Sequence, residues 1–155
     1  MHVCFVCSGN ICRSPMAAVV FREHLRRAGL DDRVRVTSAG IGGWHVGQPA
    51  DSRAARTLAR AGYPTEHVAA QVGPEHLDAD LLVAMDSGHE AALADLVGEE
   101  RVRMFRSFDP AADGDLRGDL DVPDPYYGRR DGFTDVLTMI EAAMPGLLTW
   151  VRERL

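Results

Sequence analysis

The chain has 155 residues, 46% of them apolar, and its 17 basic and 23 acidic residues give a formal net charge of −6. This length and composition suit a globular protein, so we expect residues 1–155 to form a single domain. The negative charge argues against a general nucleic-acid or membrane-surface binder. No apolar run is long enough to span a bilayer, no basic signal-peptide region opens the chain, and three cysteines cannot pair completely. We therefore expect a cytoplasmic protein.

The first third of the chain alternates strand and helix patterns. Val3–Val6 is a short apolar run, which is typical of a buried parallel strand. Ser14-Pro15 favours the start of a helix with Ser14 as its N-cap, and Gly29 ends that helix. Val34–Thr37 predicts a second strand. Asp51–Ala61 predicts a second helix that is capped by Asp51.

The same alternation continues to the end of the chain. Leu81–Met85 predicts a third strand, and Asp86 or Ser87 caps a third helix that runs through Val97. Val102–Phe105 predicts a fourth strand, and an apolar stripe from Phe133 to Leu155 predicts a long final helix. Strands that alternate with helices indicate an α/β fold, with a parallel sheet covered by helices on both faces.

One long segment does not fit the alternating pattern. Residues 107–130 hold six Asp, three Pro and three Gly. A loop of this length in a compact domain usually has a function. We therefore expect it to contribute to a site.

The loop after the first strand, Cys7-Ser8-Gly9-Asn10-Ile11-Cys12-Arg13-Ser14-Pro15, is a C-x5-R motif between a strand and a helix. Its amides can form a nest of donors for an anion, and the following helix directs its positive end to the same place. Arg13 supplies a planar, permanently charged group that can hold two phosphoryl oxygens. Helix N-termini and nearby cations favour the thiolate form of a cysteine. The motif therefore predicts that Cys7 attacks phosphorus and forms a cysteinyl-phosphate that water cleaves.

The leaving group of such a reaction needs a proton when it is a phenol or an alcohol. The candidate donor is Asp124, which lies in the long acidic loop. Both Asp124 and the Cys7 loop follow strands, so both can reach the carboxyl edge of the sheet. The alternative is that Asp124 is an ordinary turn residue.

Cys4 is better explained as a buried core residue than as a metal ligand. Cys4 and Cys7 are three residues apart on a strand, so their side chains face opposite sides and cannot bind one metal ion.

The sequence CSGNICRSP at residues 7–15, together with DPYY at 124–127, resembles the low-molecular-weight protein tyrosine phosphatases. The resemblance covers nearly the whole chain and is greatest to the actinobacterial enzymes. It implies a three-layer, Rossmann-like fold with a four-stranded parallel sheet in the order 2-1-3-4. It also implies hydrolysis of phosphotyrosine in proteins and of small aryl phosphates, with Cys7 as nucleophile, Arg13 as phosphate-binding residue and Asp124 as general acid and base.

The resemblance assigns roles to the remaining site residues as well. Phosphate would be bound by the loop residues Ser8, Gly9, Asn10, Ile11, Cys12 and Arg13. A left-handed Asn10 would be supported by Ser14 and His67, and an aryl ring would be held between Trp44, Tyr126 and Tyr127. Ser8 occupies a variable position that tunes specificity, and Ala70 stands where the family usually has Arg. Cys12 would form a disulfide that protects Cys7 from irreversible oxidation.

Three other functions are less consistent with the residues. A thioredoxin-coupled arsenate reductase needs further cysteines, and none follows Cys12. A non-catalytic phosphopeptide-binding module would not need Cys7, Arg13 and Asp124 together. A nucleotide-binding domain would need a complete glycine motif.

We expect no metal and no cofactor, because Arg13, the loop amides and the helix end supply the positive field around a bound phosphate. The expected enzyme is a monomer that acts on phosphotyrosine proteins, releases inorganic phosphate, and is cytoplasmic or exported by an unconventional route as in mycobacterial relatives.

Overall fold

A computed structural model of the protein describes residues 1–112, 119–128 and 132–155. Its centre is a parallel sheet of four strands, which lie in the order β2-β1-β3-β4. The strands are β1 (His2–Cys7), β2 (Arg35–Gly40), β3 (Leu81–Ala84) and β4 (Val102–Met104). The sheet order that the family resemblance implies is therefore confirmed.

Helices connect the strands and cover both faces of the sheet. They are α1 (Arg13–Arg27), α2 (Ser52–Arg60), α3 (Pro74–Leu77), α4 (Ser87–Val97) and α5 (Gly132–Arg152), with a 3₁₀ turn at Phe105–Phe108. None of these helices, within the residues that the structure describes, has the length and apolarity needed to cross a bilayer.

The alternation of side chains along β1 creates two hydrophobic cores. Phe5 faces the larger core, where its ring packs edge-on against Phe21 of α1 and against Phe105, with ring centroids 5.9 and 5.8 Å apart. Cys4, its neighbour, faces the smaller core on the other side of the sheet, together with Leu93 of α4. This gives the three-layer arrangement, and Cys4 is a core residue as expected.

The element boundaries differ from the sequence expectation in a few places. Ser14 is not the N-cap of α1, because the helix begins at Arg13, two residues earlier than a Ser14 cap implies, and Cys12 occupies the cap position. Asp51 and Asp86 do cap α2 and α4, each by accepting a backbone N–H bond. The short helix α3 and the 3₁₀ turn were not predicted, and β4 ends at Met104 rather than at Phe105. The predicted loop 107–130 includes residues 113–118 and 129–130, which lie outside the described residues.

The carboxyl ends of β1, β2 and β3 bring two loops together. The loop after β1 rests on the end of β2, where a Cβ added to Gly40 would lie only 2.9 Å from the Ser8 carbonyl oxygen. The acidic loop crosses the end of β3, where the Val122 N–H donates to the Met85 carbonyl at 2.7 Å. Ligands of open parallel sheets bind at this edge. The topology therefore places the C-x5-R loop and Asp124 on opposite sides of one cleft.

Candidate active site

The cleft at this edge of the sheet encloses about 380 Å³. The C-x5-R loop forms its floor, and Cys7 lies there with only 3% of its surface exposed. The residues that line the cleft are Cys7, Ser8, Gly9, Ile11, Cys12, Arg13, Trp44, His45, Asp124, Tyr126 and Tyr127. The structure thus brings together most of the residues that were proposed from the sequence.

The loop is fixed in its shape by bonds to its outward-facing carbonyl groups. Four carbonyls accept hydrogen bonds from residues outside the loop, at distances between 2.7 and 2.9 Å. The acceptor–donor pairs are Cys7 with Ile41, Ser8 with Gly42, Asn10 with His67, and Ile11 with Asp51. Carbonyls that are turned outward leave the cavity side of the loop to N–H groups, which is the geometry of an anion-binding nest.

Asn10 supports the loop from within. Its backbone is left-handed, with a φ of +58°, and it is completely buried. The side-chain oxygen accepts the Ala70 N–H at 2.9 Å, and the side-chain nitrogen donates to Ser14 at 2.8 Å and to Ser38 at 3.0 Å. A left-handed Asn costs roughly 1 kcal/mol, which these bonds offset. Burial lowers the pKa of His67, so this histidine is neutral and donates its Nε2–H to the Asn10 carbonyl.

This network leaves the Ser14 proton available to Cys7. The Ala70 N–H can only donate, so it faces the Asn10 oxygen, and the Asn10 NH₂ group must then face Ser14. The Ser14 oxygen therefore accepts from Asn10, and its own proton is free to point at Cys7 Sγ, which lies 2.9 Å away. A hydroxyl that donates to sulfur stabilises the thiolate over the thiol.

Arg13 is buried beside the loop, with 3% of its surface exposed. Its NH1 group donates to Asp86 Oδ2 and to the Val122 carbonyl, both at 2.9 Å. Its NH2 group lies 3.4 Å from Ser8 Oγ and 3.5 Å from Asp124 Oδ2. The first two contacts hold the guanidinium in place, and the second nitrogen is directed to the cleft that would hold an anion.

Asp86 and His89 form a charged group behind Arg13. Burial raises the pKa of Asp86, but the His89 N–H, the His89 ring and Arg13 outweigh burial, so the net pKa lies below the usual value. Burial lowers the pKa of His89 to about 4. Near neutral pH the aspartate is therefore ionised and the histidine is neutral.

Asp124 lies across the cleft from Cys7. Its Oδ1 accepts the Tyr126 N–H at 3.0 Å, which orients the other oxygen toward Arg13. Arg53 supports the same loop from α2, since it donates to the Tyr126 carbonyl at 3.2 Å and lies 5.4 Å from the centre of the Tyr126 ring. An acid held in this way can face the leaving group of a bound phosphate ester.

Aromatic side chains form the mouth of the cleft. Trp44 is 72% exposed and Tyr127 is 87% exposed, and the Tyr126 and Tyr127 rings pack edge-on with centroids 4.8 Å apart. Exposed aromatic rings around a charged floor are suited to a ligand that is apolar at one end and anionic at the other.

The family model described as low molecular weight phosphotyrosine protein phosphatase matches residues 2–155. The chain belongs to this family. The phosphatase is 59% identical over 156 residues to low molecular weight protein-tyrosine phosphatase A of Mycobacterium tuberculosis, and the match covers 100% of the chain and 94% of the relative. It is 54% identical to a Streptomyces coelicolor low molecular weight protein-tyrosine-phosphatase, with 99% of the chain and 94% of the relative covered.

A solved structure of the same class has a closely similar fold. The crystal structure of a protein tyrosine phosphatase from Entamoeba histolytica, with Hepes in its active site, superimposes with a TM-score of 0.91 at 30% identity. The superposition covers 99% of this chain and 97% of that one. The actinobacterial type that the sequence resembles is consistent with the identities to the mycobacterial and Streptomyces relatives.

Several residues around the site of this phosphatase were not found from the sequence. His89 and Arg53 were read only as members of helices, and Asp86 only as a helix cap. Ser38 and the Val122 carbonyl were not considered as partners of the loop. The available signal was weak, because each residue is distant from the C-x5-R motif in sequence and approaches it only in the folded protein.

The buried, neutral His89 predicts a pH dependence of stability. In the unfolded chain a histidine has a pKa near 6.5, whereas the pKa of folded His89 is about 4. The unfolded state therefore binds this proton first as pH falls, so the stability is complete above about pH 6.5 and is lost as the pH approaches 4. The free energy of unfolding falls by at most about 3 kcal/mol through this effect.

We expect His89→Gln to remove this part of the pH dependence. Urea unfolding of the wild type and the variant, measured between about pH 7 and about pH 4.5, gives the two free energies of unfolding. The free energy of unfolding of the wild type should exceed that of His89→Gln near pH 7, and this difference should shrink as the pH falls. Two parallel curves over this range would contradict the assignment of a buried, neutral His89.

Proposed function

We propose that the phosphatase hydrolyses phosphotyrosine in proteins, and small aryl phosphates, through a phosphorylated Cys7. The observation that carries this proposal is the 2.9 Å contact between Cys7 Sγ and Ser14 Oγ, because the bond that Ser14 accepts from Asn10 leaves the hydroxyl proton available to a Cys7 thiolate. A sulfur that accepts a hydrogen bond at the floor of an anion-binding cleft is suited to nucleophilic attack.

The reaction proceeds in two displacement steps. In the first, the Cys7 thiolate attacks phosphorus, an S–P bond forms, and the bond from phosphorus to the tyrosyl oxygen breaks. Asp124, in its protonated form, gives its proton to that oxygen, so tyrosine leaves as the neutral phenol. In the second, Asp124 as carboxylate takes a proton from water while the water oxygen attacks phosphorus. The S–P bond breaks, which restores the thiolate and releases inorganic phosphate.

Arg13 and the loop stabilise the charge that develops on the phosphoryl group. The guanidinium NH2 group faces the cleft, because NH1 is held by Asp86 and Val122. The loop of residues 8–13 contributes N–H groups from its cavity side, and the positive end of α1 points toward the same place. We therefore assign phosphate binding to the loop residues Ser8, Gly9, Asn10, Ile11, Cys12 and Arg13.

The depth of the cleft supports an aryl substrate. Cys7 is nearly inaccessible, and the aromatic mouth of Trp44, Tyr126 and Tyr127 lies above it. A phenyl ring between the peptide backbone and the phosphoryl group can pack against these rings while phosphorus reaches the sulfur. Phosphoserine has a shorter side chain without a ring, so it would gain less from this contact.

We further propose that residues 1–155 are one catalytic domain, which acts as a monomer on phosphoproteins in the cytoplasm. All three cysteines are free thiols, including the proposed nucleophile. A reducing compartment would keep them in this state.

The proposed role of Asp124 predicts a dependence on the leaving group. Asp124→Asn keeps the shape of the side chain but cannot donate a proton at neutral pH. We expect the single-turnover rate of phenol release from phosphotyrosine, which reports the first step alone, to fall by about 10²–10⁴, the usual contribution of a general acid. The loss should be smaller for para-nitrophenyl phosphate, because its leaving group is less basic. Initial rates and single-turnover rates on both substrates provide the measurement.

A matched control is available in the same loop. Asp121 Oδ1 accepts the Ser87 N–H at 2.8 Å, and Asp121→Asn retains an oxygen that can accept this bond. This variant should keep both rates near those of the wild type. Equal losses of the single-turnover rate of phenol release on the two substrates for Asp124→Asn would show that Asp124 does not protonate the leaving group.

We also propose that Cys12 protects Cys7 by forming a disulfide with it. Both line the cleft, and burial with nearby Asp51 raises the pKa of Cys12 to about 12, so Cys12 stays a thiol while Cys7 reacts. Peroxide would oxidise the Cys7 thiolate to a sulfenic acid. The Cys12 sulfur would then displace its hydroxyl, which leaves as water with the Cys12 proton.

Cys12→Ser should therefore recover less activity than the wild type after peroxide followed by dithiothreitol. Cys4→Ala is the control, because Cys4 is buried in the smaller core on the other face of the sheet and should recover as the wild type does. Full recovery of Cys12→Ser, measured by para-nitrophenyl phosphate hydrolysis, would contradict the protective role.

A further inference from the structure

His89 is a buried side chain that the two displacement steps do not use. It lies in the first turn of α4 with 5% of its surface exposed. Its Nε2 atom is 2.9 Å from Ser8 Oγ on the floor of the cleft, and its Nδ1 atom is 3.2 Å from Asp86 Oδ1. The ring therefore connects a residue of the phosphate-binding loop to the carboxylate that holds Arg13.

The charges around the ring determine which nitrogen carries the proton. His89 is neutral and Asp86 is ionised, as described above. Nδ1 makes no hydrogen bond, but the negative charge of the Asp86 carboxylate, 3.2 Å away, opposes a lone pair on Nδ1 and so favours the tautomer with hydrogen there. Nε2 is then an acceptor, so the hydroxyl of Ser8 must donate to it.

This direction of the hydrogen bond has a consequence for Arg13. Because the Ser8 proton points at His89, the lone pairs of Ser8 Oγ are left to face Arg13 NH2, 3.4 Å away. Asp86 accepts from the other nitrogen, NH1, at 2.9 Å. The same histidine thus contacts both acceptors that hold the two ends of the guanidinium.

We propose that His89 is a positioning residue for Arg13, acting through the Ser8 hydroxyl and the Asp86 carboxylate. This inference rests on the proposed function, since it assigns to His89 the orientation of the phosphate-binding group. Without the acceptor at Nε2, the Ser8 hydroxyl can turn its proton toward Arg13 and repel the guanidinium. The NH2 group would then stay closer to Asp124, which is 3.5 Å away and competes with the phosphoryl oxygens.

Two substitutions separate this role from a structural one. His89→Phe keeps an aromatic ring but removes the acceptor at Nε2, whereas His89→Gln offers an amide oxygen that can accept from Ser8. We expect His89→Phe to weaken inhibition by inorganic phosphate about tenfold, the value of one hydrogen bond to a charged group, and to raise KM for para-nitrophenyl phosphate similarly. His89→Gln should restore most of the phosphate affinity.

The control is His76→Phe. His76 is also buried, but it lies in α3 at the opposite end of the sheet, where it accepts the Gly73 N–H. This variant measures the cost of placing a Phe at a buried histidine, and its inhibition by phosphate should match the wild type. Thermal unfolding of each variant shows whether it is folded at the assay temperature.

The pathway through Ser8 is tested by a double variant. If His89 acts through the Ser8 hydroxyl, Ser8→Ala combined with His89→Phe should weaken phosphate binding by less than the product of the two single changes. A multiplicative effect, or phosphate inhibition of His89→Phe equal to that of the wild type, would overturn the inference. The proposed function is tested separately by whether the wild type forms phosphorylated Cys7. If it does, a negative result for His89 overturns only this inference. If it does not, the proposed function and this inference both fail.

Discussion

The chemistry of this site depends on one hydrogen bond, from the Ser14 hydroxyl to the sulfur of Cys7. The Ala70 N–H determines which way the Asn10 amide faces, and the Asn10 NH₂ group then donates to one lone pair of Ser14. The Ser14 proton is thereby left available to the sulfur, 2.9 Å away, and a nucleophilic thiolate, which has no proton of its own, can only accept it.

The fold makes this arrangement possible by bringing distant segments to one edge of the sheet. The C-x5-R loop leaves β1, the segment with His67 and Ala70 lies beside the end of β2, and the acidic loop crosses the end of β3. Each segment donates a hydrogen bond to the loop or accepts one from it. The loop can hold a strained Asn10 because these contacts come from three sides, and the rigid shape means that little reorganisation is needed when an anion binds.

The parts of the structure that the sequence could predict are those determined by local patterns. The four strands, the caps at Asp51 and Asp86, and the anion-binding character of the C-x5-R loop depend on residues that are close together along the chain. The family resemblance added the sheet order. Ser14 shows the limit of local rules, because its hydroxyl bonds to Cys7 and Asn10 instead of capping α1.

The supporting groups could not be predicted, since their roles exist only in the folded protein. His89 looks like an ordinary helix residue until Ser8 and Asp86 are placed on either side of it. The Val122 carbonyl that holds Arg13 has no sequence signature at all, because any residue has a carbonyl. Identifying such partners requires the tertiary distances between β1, α4 and the acidic loop.

The most direct measurement of the central claim is to identify the atom that carries phosphate during turnover. The wild type can be mixed with excess para-nitrophenyl phosphate, quenched within the first turnover, digested and analysed by mass spectrometry. We expect one added phosphoryl group on the peptide that contains Cys7, and we expect it to be absent from Cys7→Ala. A phosphoryl group on any other side chain, or turnover that persists in Cys7→Ala, would contradict it.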